Sequence, residues 1–427
     1  EVNSILSASR KFYNKSGMLF LALTLVLVGV YPFFISGQLE NSLVRWMILV
    51  LAGSTLVDYF FLGKYRVLLT ANQEGYVVAL IQAAGTIVNM VVSIFLIYIG
   101  AGVLFVKAVA TGVYMLRLVL VKIYAKRKYP ALDFHAEPNE GALKQKNAAL
   151  LHQVVGIIVN NTDTTVLTIC LGAKSLLEVS VYGIYMMVVN AVNQLMTSFS
   201  NGLTAGFGEV IAKNEEETLK KSYSSYEYMY FVIMFIVIAC MGVLILPFVG
   251  VYTINLTDVQ YVRPVLGILF TVIVFMQNVR IPGLTIICAA GHYKETRYQA
   301  ILEAVINITV SLGLVWKFGM AGVLLGTVCS YGYRSFEIVF YTSRHLVKGC
   351  AKKSMFRILR NVFTVAILCT VGTYVIPQEI TSFTTWFLYA IGMGLTSVFF
   401  VVVINYVVEP DEFMQLRHRV NDIIKKE

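Results

Sequence analysis

Apolar runs of about 20 residues recur along the whole chain, each closed by a short polar stretch. A helix of that length crosses the ~30 Å hydrocarbon layer of a bilayer. Twelve such helices are read, over 17–36, 43–62, 76–99, 102–122, 148–172, 179–205, 227–249, 263–288, 297–316, 319–342, 357–376 and 385–407. The runs are continuous rather than alternating, which excludes an outer-membrane barrel. The pattern predicts an all-α, polytopic membrane protein.

Short motifs recur in order at a long, steady spacing. Val88-Asn89-Met90-Val91-Val92-Ser93, Gly102-Val103-Leu104 and Tyr114-x-x-Arg117 precede Ile306-Asn307-Ile308-Thr309-Val310-Ser311, Gly322-Val323-Leu324 and Tyr331-x-x-Arg334. The Asn, Gly and Tyr positions lie 218, 220 and 217 residues apart. That suggests a duplication into two related lobes, which in transporters usually enclose the substrate path. The expected division is an N-lobe over 1–122 with four helices and a cytoplasmic linker over 123–147. A six-helix C-lobe follows over 148–345, then a trailing helix pair with a cytoplasmic tail over 346–427. The helices at 148–172 and 179–205 have no upstream partner. The expectation is therefore two pseudo-symmetric six-helix lobes plus the trailing pair, with the first two helices missing ahead of Glu1.

Composition fits this picture: 58% hydrophobic, 14% charged, and a mean hydropathy of +0.73. The net charge of +10 would suit nucleic acid, but its placement does not. The N-terminal segment, alternate inter-helix segments and the C-terminal tail, with the helix ends that adjoin them, hold 26 of the 34 Lys and Arg residues. By the positive-inside rule these segments, the N-terminal segment and the C-terminus face the cytoplasm. No nucleic-acid partner is expected. The six cysteines have no metal-ligand spacing.

Several segments resemble the polysaccharide-biosynthesis flippases of the multidrug/oligosaccharidyl-lipid/polysaccharide exporter superfamily. They are Asn160-Asn-Thr-Asp163, Gly202-Leu-Thr-Ala-Gly206, Ile245-Leu-Pro-Phe248, Tyr261-Val-Arg-Pro264, Arg280-Ile-Pro282, Ala289 to Thr296, Glu303 to Asn307 and Phe318 to Val323. Gly283 departs from the aromatic residue that many relatives carry after that proline. The resemblance implies a fourteen-helix, two-lobed fold with a central cavity. It implies transport of an undecaprenyl-pyrophosphate-linked oligosaccharide, alongside polysaccharide assembly machinery, in the cell membrane. A cation-coupled multidrug exporter of the same superfamily is the first alternative. A membrane-embedded glycan polymerase or acyltransferase is the second, with His152 the nearest catalytic histidine. Neither an enzyme nor a bound cofactor is expected.

Charges inside a bilayer cost a few kcal/mol each, so each needs a reason. Arg280, beside Asn278 and the helix-kinking Pro282, would bind a pyrophosphate or acidic sugar, or pair with Glu303. Arg334 and Arg117 occupy matching places and would face the substrate, or snorkel to the interface; Arg334 could also pair with Glu337. Lys107 is the fourth basic candidate. Asp163, with Asn160 and Thr164, offers oxygen ligands for Na+ or a carboxyl for H+ as coupling ion. Asp58 is expected to meet Lys64 or headgroups. Asn89 and Asn307 read as interhelical hydrogen bonders. Tyr223, Tyr226, Tyr228 and Tyr230 read as an interfacial belt. The trailing pair reads as plain and polar-poor.

Overall fold

The computed structural model describes residues 2–34, 40–72, 74–130, 136–137, 146–172, 175–200, 203–377, 379–414 and 417. Most of the expected linker after Lys128, together with Lys174 and Gly202, lies outside them. Among the described residues the structure is helical, with no strand. The chain forms two compact units, Glu1–Lys144 and Gln145–Glu427.

The first unit holds α1 (Val2–Phe34), α2 (Asn41–Val57), α3 (Gly63–Ala71), α4 (Gly75–Tyr98) and α5 (Val103–Lys128). A π-helical turn, Asp58–Leu62, joins α2 to α3. Asp58, in that turn, pairs with Arg66 of α3 at 2.9 Å. Two turns of helix separate Asp58 from Arg66, and the wider π turn helps set their approach. Thr111 of α5 donates to the Val50 carbonyl of α2 (3.2 Å), one of few polar links in this apolar set.

The second unit holds α6 (Lys146–Cys170), α7 (Ser175–Ser200), α8 (Leu203–Ala212), α9 (Glu216–Tyr252), α10 (Pro264–Val279) and α11 (Ile281–Ala289). It continues with α12 (Arg297–Phe318), α13 (Met320–His345), α14 (Ala351–Val375) and α15 (Phe383–Val408). At 37 residues, α9 is longer than the expected 227–249 helix, and its buried residues run from Leu219 to Val251. Glu216 and Glu217 in its first turn complement the positive helix end. The helices α7, α10, α14 and α15 pack around it.

This central place overturns the belt reading of the tyrosines. Tyr223, Tyr226, Tyr228 and Tyr230 are all buried in the core. Three of their hydroxyls find partners there: Tyr223 donates to Glu227 (3.1 Å), Tyr226 to Ser200 (3.0 Å) and Tyr230 to Asn278 (3.0 Å). Amphipathic rings suit an interface, but they also suit a core that supplies acceptors.

The trailing pair is not polar-poor where it meets α9. Arg357 of α14 is 1% exposed and saturated with acceptors. Its Nε donates to Glu409 (2.9 Å), and Nη1 to Glu227 (3.0 Å) and the Ser224 carbonyl (3.0 Å). Its Nη2 donates to Ser224 Oγ (3.2 Å) and lies 3.4 Å from Glu412. A turn away, Asn405 of α15 donates to Asn361 of α14 (2.9 Å).

The helix expected over 263–288 is broken at Arg280, the joint between α10 and α11, because Pro282 lacks the amide that would continue the ladder. The helix expected over 179–205 ends at Ser200, and α8 begins anew. Gly319, at φ 57°, turns α12 into α13. The two pack tightly: a Cβ on Gly326 would lie 2.7 Å from the Ser311 amide nitrogen. Among the described residues, ten segments are long and apolar enough to cross a membrane. Of the twelve expected, α6 and α13 have the length but carry the polar residues described next.

Candidate functional site

Asp163 sits two turns from the C-terminal end of α6 and is only 4% exposed. A carboxylate so placed must be hydrogen-bonded or neutralised. Thr327 of α13 donates to both of its oxygens (2.8 and 2.9 Å), and Tyr182 of α7 donates at 3.3 Å. One turn earlier, Asn160 Oδ1 accepts from Tyr331 of α13 (3.0 Å). From α12, Asn307 donates to Thr327 (3.0 Å) and Ser330 (3.4 Å). The Asn307 Oδ1 is buried with no hydrogen-bond partner. Thr164 stands outside the cluster; its carbonyl accepts from Thr168. Carboxylate, hydroxyl and amide oxygens together form a hard-donor set, suited to a small cation or a proton.

Glu303, Asn307 and Ser311 repeat at four-residue spacing and present one face of α12 to α13. Thr327, Tyr331 and Arg334, four and three residues apart, share one face of α13. At one end of this seam sits a charge quartet. Arg280 pairs with Glu303, which also lies 3.5 Å from Arg334, and Arg334 pairs with Glu337. The Arg280 guanidinium lies 4.5 Å over the Tyr331 ring. A contact pair near 4 Å is worth roughly 4 kcal/mol at an effective dielectric of 20. An incoming anion would therefore have to displace carboxylates already in place. Two of the three arginines expected to hold substrate, Arg280 and Arg334, are internally neutralised. Asn278 is likewise committed, to Tyr230, Asn193 and the Val274 carbonyl.

The first unit differs. Arg117 of α5 makes no ion pair among the described residues, and its Nε is buried without a hydrogen-bond partner. Its stem crosses α4 at Gly85, where a Cβ would lie 2.2 Å from Nε. The guanidinium lies 5.8 Å from the centre of the Tyr114 ring. Asn89, one turn along α4, also has a buried Oδ1 with no partner. The sequence twins have thus diverged: Arg334 is paired and Arg117 is not. Lys107 is exposed on α5.

Sequence reasoning found Asp163 and the arginines from their polarity within apolar runs. It missed Tyr182, Thr327 and Tyr331. The last two were legible only as a polar stripe on α13, without their partner helix. Between α14 and α15 runs an apolar groove of about 600 Å³, lined by Phe363, Ile367, Leu388, Met393 and Phe400.

No family model matches the chain. No curated protein matches it either. Solved structures do. One is titled "Lipid II flippase MurJ, inward closed conformation": TM-score 0.63, 15% identity, covering 95% of this chain and 84% of that one. Another is an outward-facing multidrug resistance MATE family transporter of the MOP superfamily: TM-score 0.53, 13% identity, covering 86% of this chain and 79% of that one. At these identities the likeness is one of fold. The chain shares the fold of these two structures, that of a polytopic helical membrane protein.

Proposed function

We propose that this protein is a flippase that carries a lipid-linked oligosaccharide across a membrane by alternating access, with no covalent chemistry. The observation that carries the reading is Arg117. It is a guanidinium inside a membrane-length helix with no carboxylate partner among the described residues, and its stem crosses α4 at Gly85, one turn from Asn89, whose Oδ1 has no partner. An always-charged planar cation in that setting suits a phosphate-bearing ligand. The substrate proposed is an undecaprenyl-pyrophosphate-linked repeat unit for polysaccharide export. Arg280, Arg334 and Asn278 then act as bracing rather than as headgroup contacts. The basic inter-helix segments support cytoplasmic termini in the cell membrane. Na+ or H+ at Asp163 would supply the coupling.

The multidrug alternative is weaker. The flippase match leaves fewer residues unaligned than α14 or α15 contains, so it reaches into the trailing pair. The match to the multidrug transporter leaves out more residues than the two helices hold together.

The test is transport of a defined undecaprenyl-pyrophosphate oligosaccharide in proteoliposomes. Arg117→Ala is expected to lower transport by about tenfold or more, the loss of a charge-assisted contact of roughly 1.5–3 kcal/mol. Arg117→Lys should retain part of it. Full transport by Arg117→Ala would remove the assignment. Binding of amphiphilic cations without any lipid-linked transport would move the protein to the multidrug class.

A further inference from the structure

We propose that Tyr331 is a positioning residue that ties the state of the Asp163 cluster to the break between α10 and α11. The proposal rests on the transport reading above.

Tyr331 is 3% exposed and has two separate engagements. Its hydroxyl donates to Asn160, one turn from Asp163 on α6. Its ring lies beneath the guanidinium of Arg280, the residue at the joint between α10 and α11. No other residue with a described contact joins the two places through one side chain.

The helix carrying Tyr331 has the same reach. Four residues earlier, Thr327 holds the Asp163 carboxylate. Four residues later, Ser335 donates to the Met276 carbonyl (2.7 Å), in the last turn of α10. Further along, α13 receives α11 directly: a Cβ on Gly283 would lie 2.6 Å from Ile338 and 2.9 Å from Thr342 Oγ1. The glycine that follows Pro282 thus seats α11 against α13, leaving no room for a larger residue.

The consequence is mechanical. Binding a cation at Asp163 draws oxygens inward, and Thr327 and Asn160 are the groups that answer. Tyr331 follows Asn160 through its hydroxyl and presses on Arg280 through its ring. The Arg280 charge is fixed to α12 by Glu303, so movement of the ring is resolved at the proline joint, where the backbone ladder is already open. Two sites on α6 and α11 are then linked by a coupling that a double-mutant cycle can measure.

Cys288, on α11, is a native reporter of that joint. Its alkylation by N-ethylmaleimide is followed by peptide mass spectrometry in the full chain. The four proteins are parent, Asp163→Asn, Tyr331→Phe and the double variant. Tyr331→Phe keeps the ring over Arg280 and removes only the hydroxyl. Asp163→Asn is expected to change the Cys288 rate about fivefold in the parent and by less than about 1.5-fold in the Tyr331→Phe protein. Asn160→Ala, which deletes the other end of the bond, should abolish the effect equally. A merely structural tyrosine would leave the Asp163→Asn effect intact in both backgrounds, and that result overturns the proposal. So does a Cys288 rate indifferent to Asp163→Asn in the parent. The readout needs no substrate. If the cycle holds but lipid-linked oligosaccharide is not moved, the substrate assignment fails and the link stands; if transport occurs and the cycle closes to zero, the link alone fails.

Discussion

Replacing Arg357 by Met should be among the most damaging single changes in the trailing pair. Methionine fills much of the arginine stem's volume, so the loss is chiefly electrostatic. The three carboxylates around Arg357 are not equally exposed to its removal. Glu412 keeps Lys353, and Glu409 keeps Arg360 at 4.0 Å. Glu227, 2% exposed, keeps only neutral donors, Ser354 (2.6 Å) and Tyr223 (3.1 Å). Stranding one buried charge costs about 3–5 kcal/mol. Glu227→Gln removes the stranded charge itself and leaves Arg357 two other carboxylates; its cost is one charge-assisted hydrogen bond, roughly 1.5–3 kcal/mol. The double variant should then cost no more than Arg357→Met alone, a coupling of about 2 kcal/mol. Equilibrium unfolding in mixed dodecyl maltoside and SDS micelles measures all three. An Arg357→Met protein within about 1 kcal/mol of the parent, or a double variant whose cost is the full sum, would refute the reasoning.

Gly85→Ala leaves every charge in place but pushes the Arg117 stem off α4. We expect the apparent KM for lipid-linked oligosaccharide to rise about tenfold while kcat stays within about twofold, the pattern of lost uniform binding; an unchanged KM would detach Arg117 from the substrate. Between α3 and α4, the Lys128 ammonium (2.7 Å) holds the Glu74 carboxyl below its usual value of 4.5. A carboxyl depressed on folding stabilises above that value, and the contribution is lost as pH falls through the lowered one. Amide protection over Gly75–Val77, taken relative to the intrinsic exchange rate at each pH, should fall on acidification in the parent and show no such step in Lys128→Met.

The long apolar runs made the element order readable, because a bilayer permits few alternatives to a helix. The break at Arg280 was readable too, from Pro282 and the charge before it. What stayed hidden was pairing across the sequence. The first turns of α9, with Glu216, Lys220 and Lys221, look like a loop until one sees that α14 and α15 bury the face bearing Glu227. Arg280 offered two readings, substrate or Glu303, and only the packing of α12 against the joint separates them. Asp163 announced itself, but its chief partner lies 164 residues away on α13. Arg117 and Arg334 looked equivalent because the repeat preserved the residues and not their neighbours.

The length of α9 has a consequence for the membrane the protein inhabits. Thirty-seven residues at ~1.5 Å each make a rod of about 56 Å, against a hydrocarbon layer of ~30 Å. With Tyr252 at one interface, Glu227 and the Arg357 clamp fall near the level of the opposite headgroups. There, water can share the cost of so many ions. A thicker bilayer would draw that clamp into acyl chains, and a thinner one would leave it bathed. The grip of α14 and α15 on the rest of the bundle should therefore vary with lipid chain length, by fractions of a kcal/mol per ångström of mismatch.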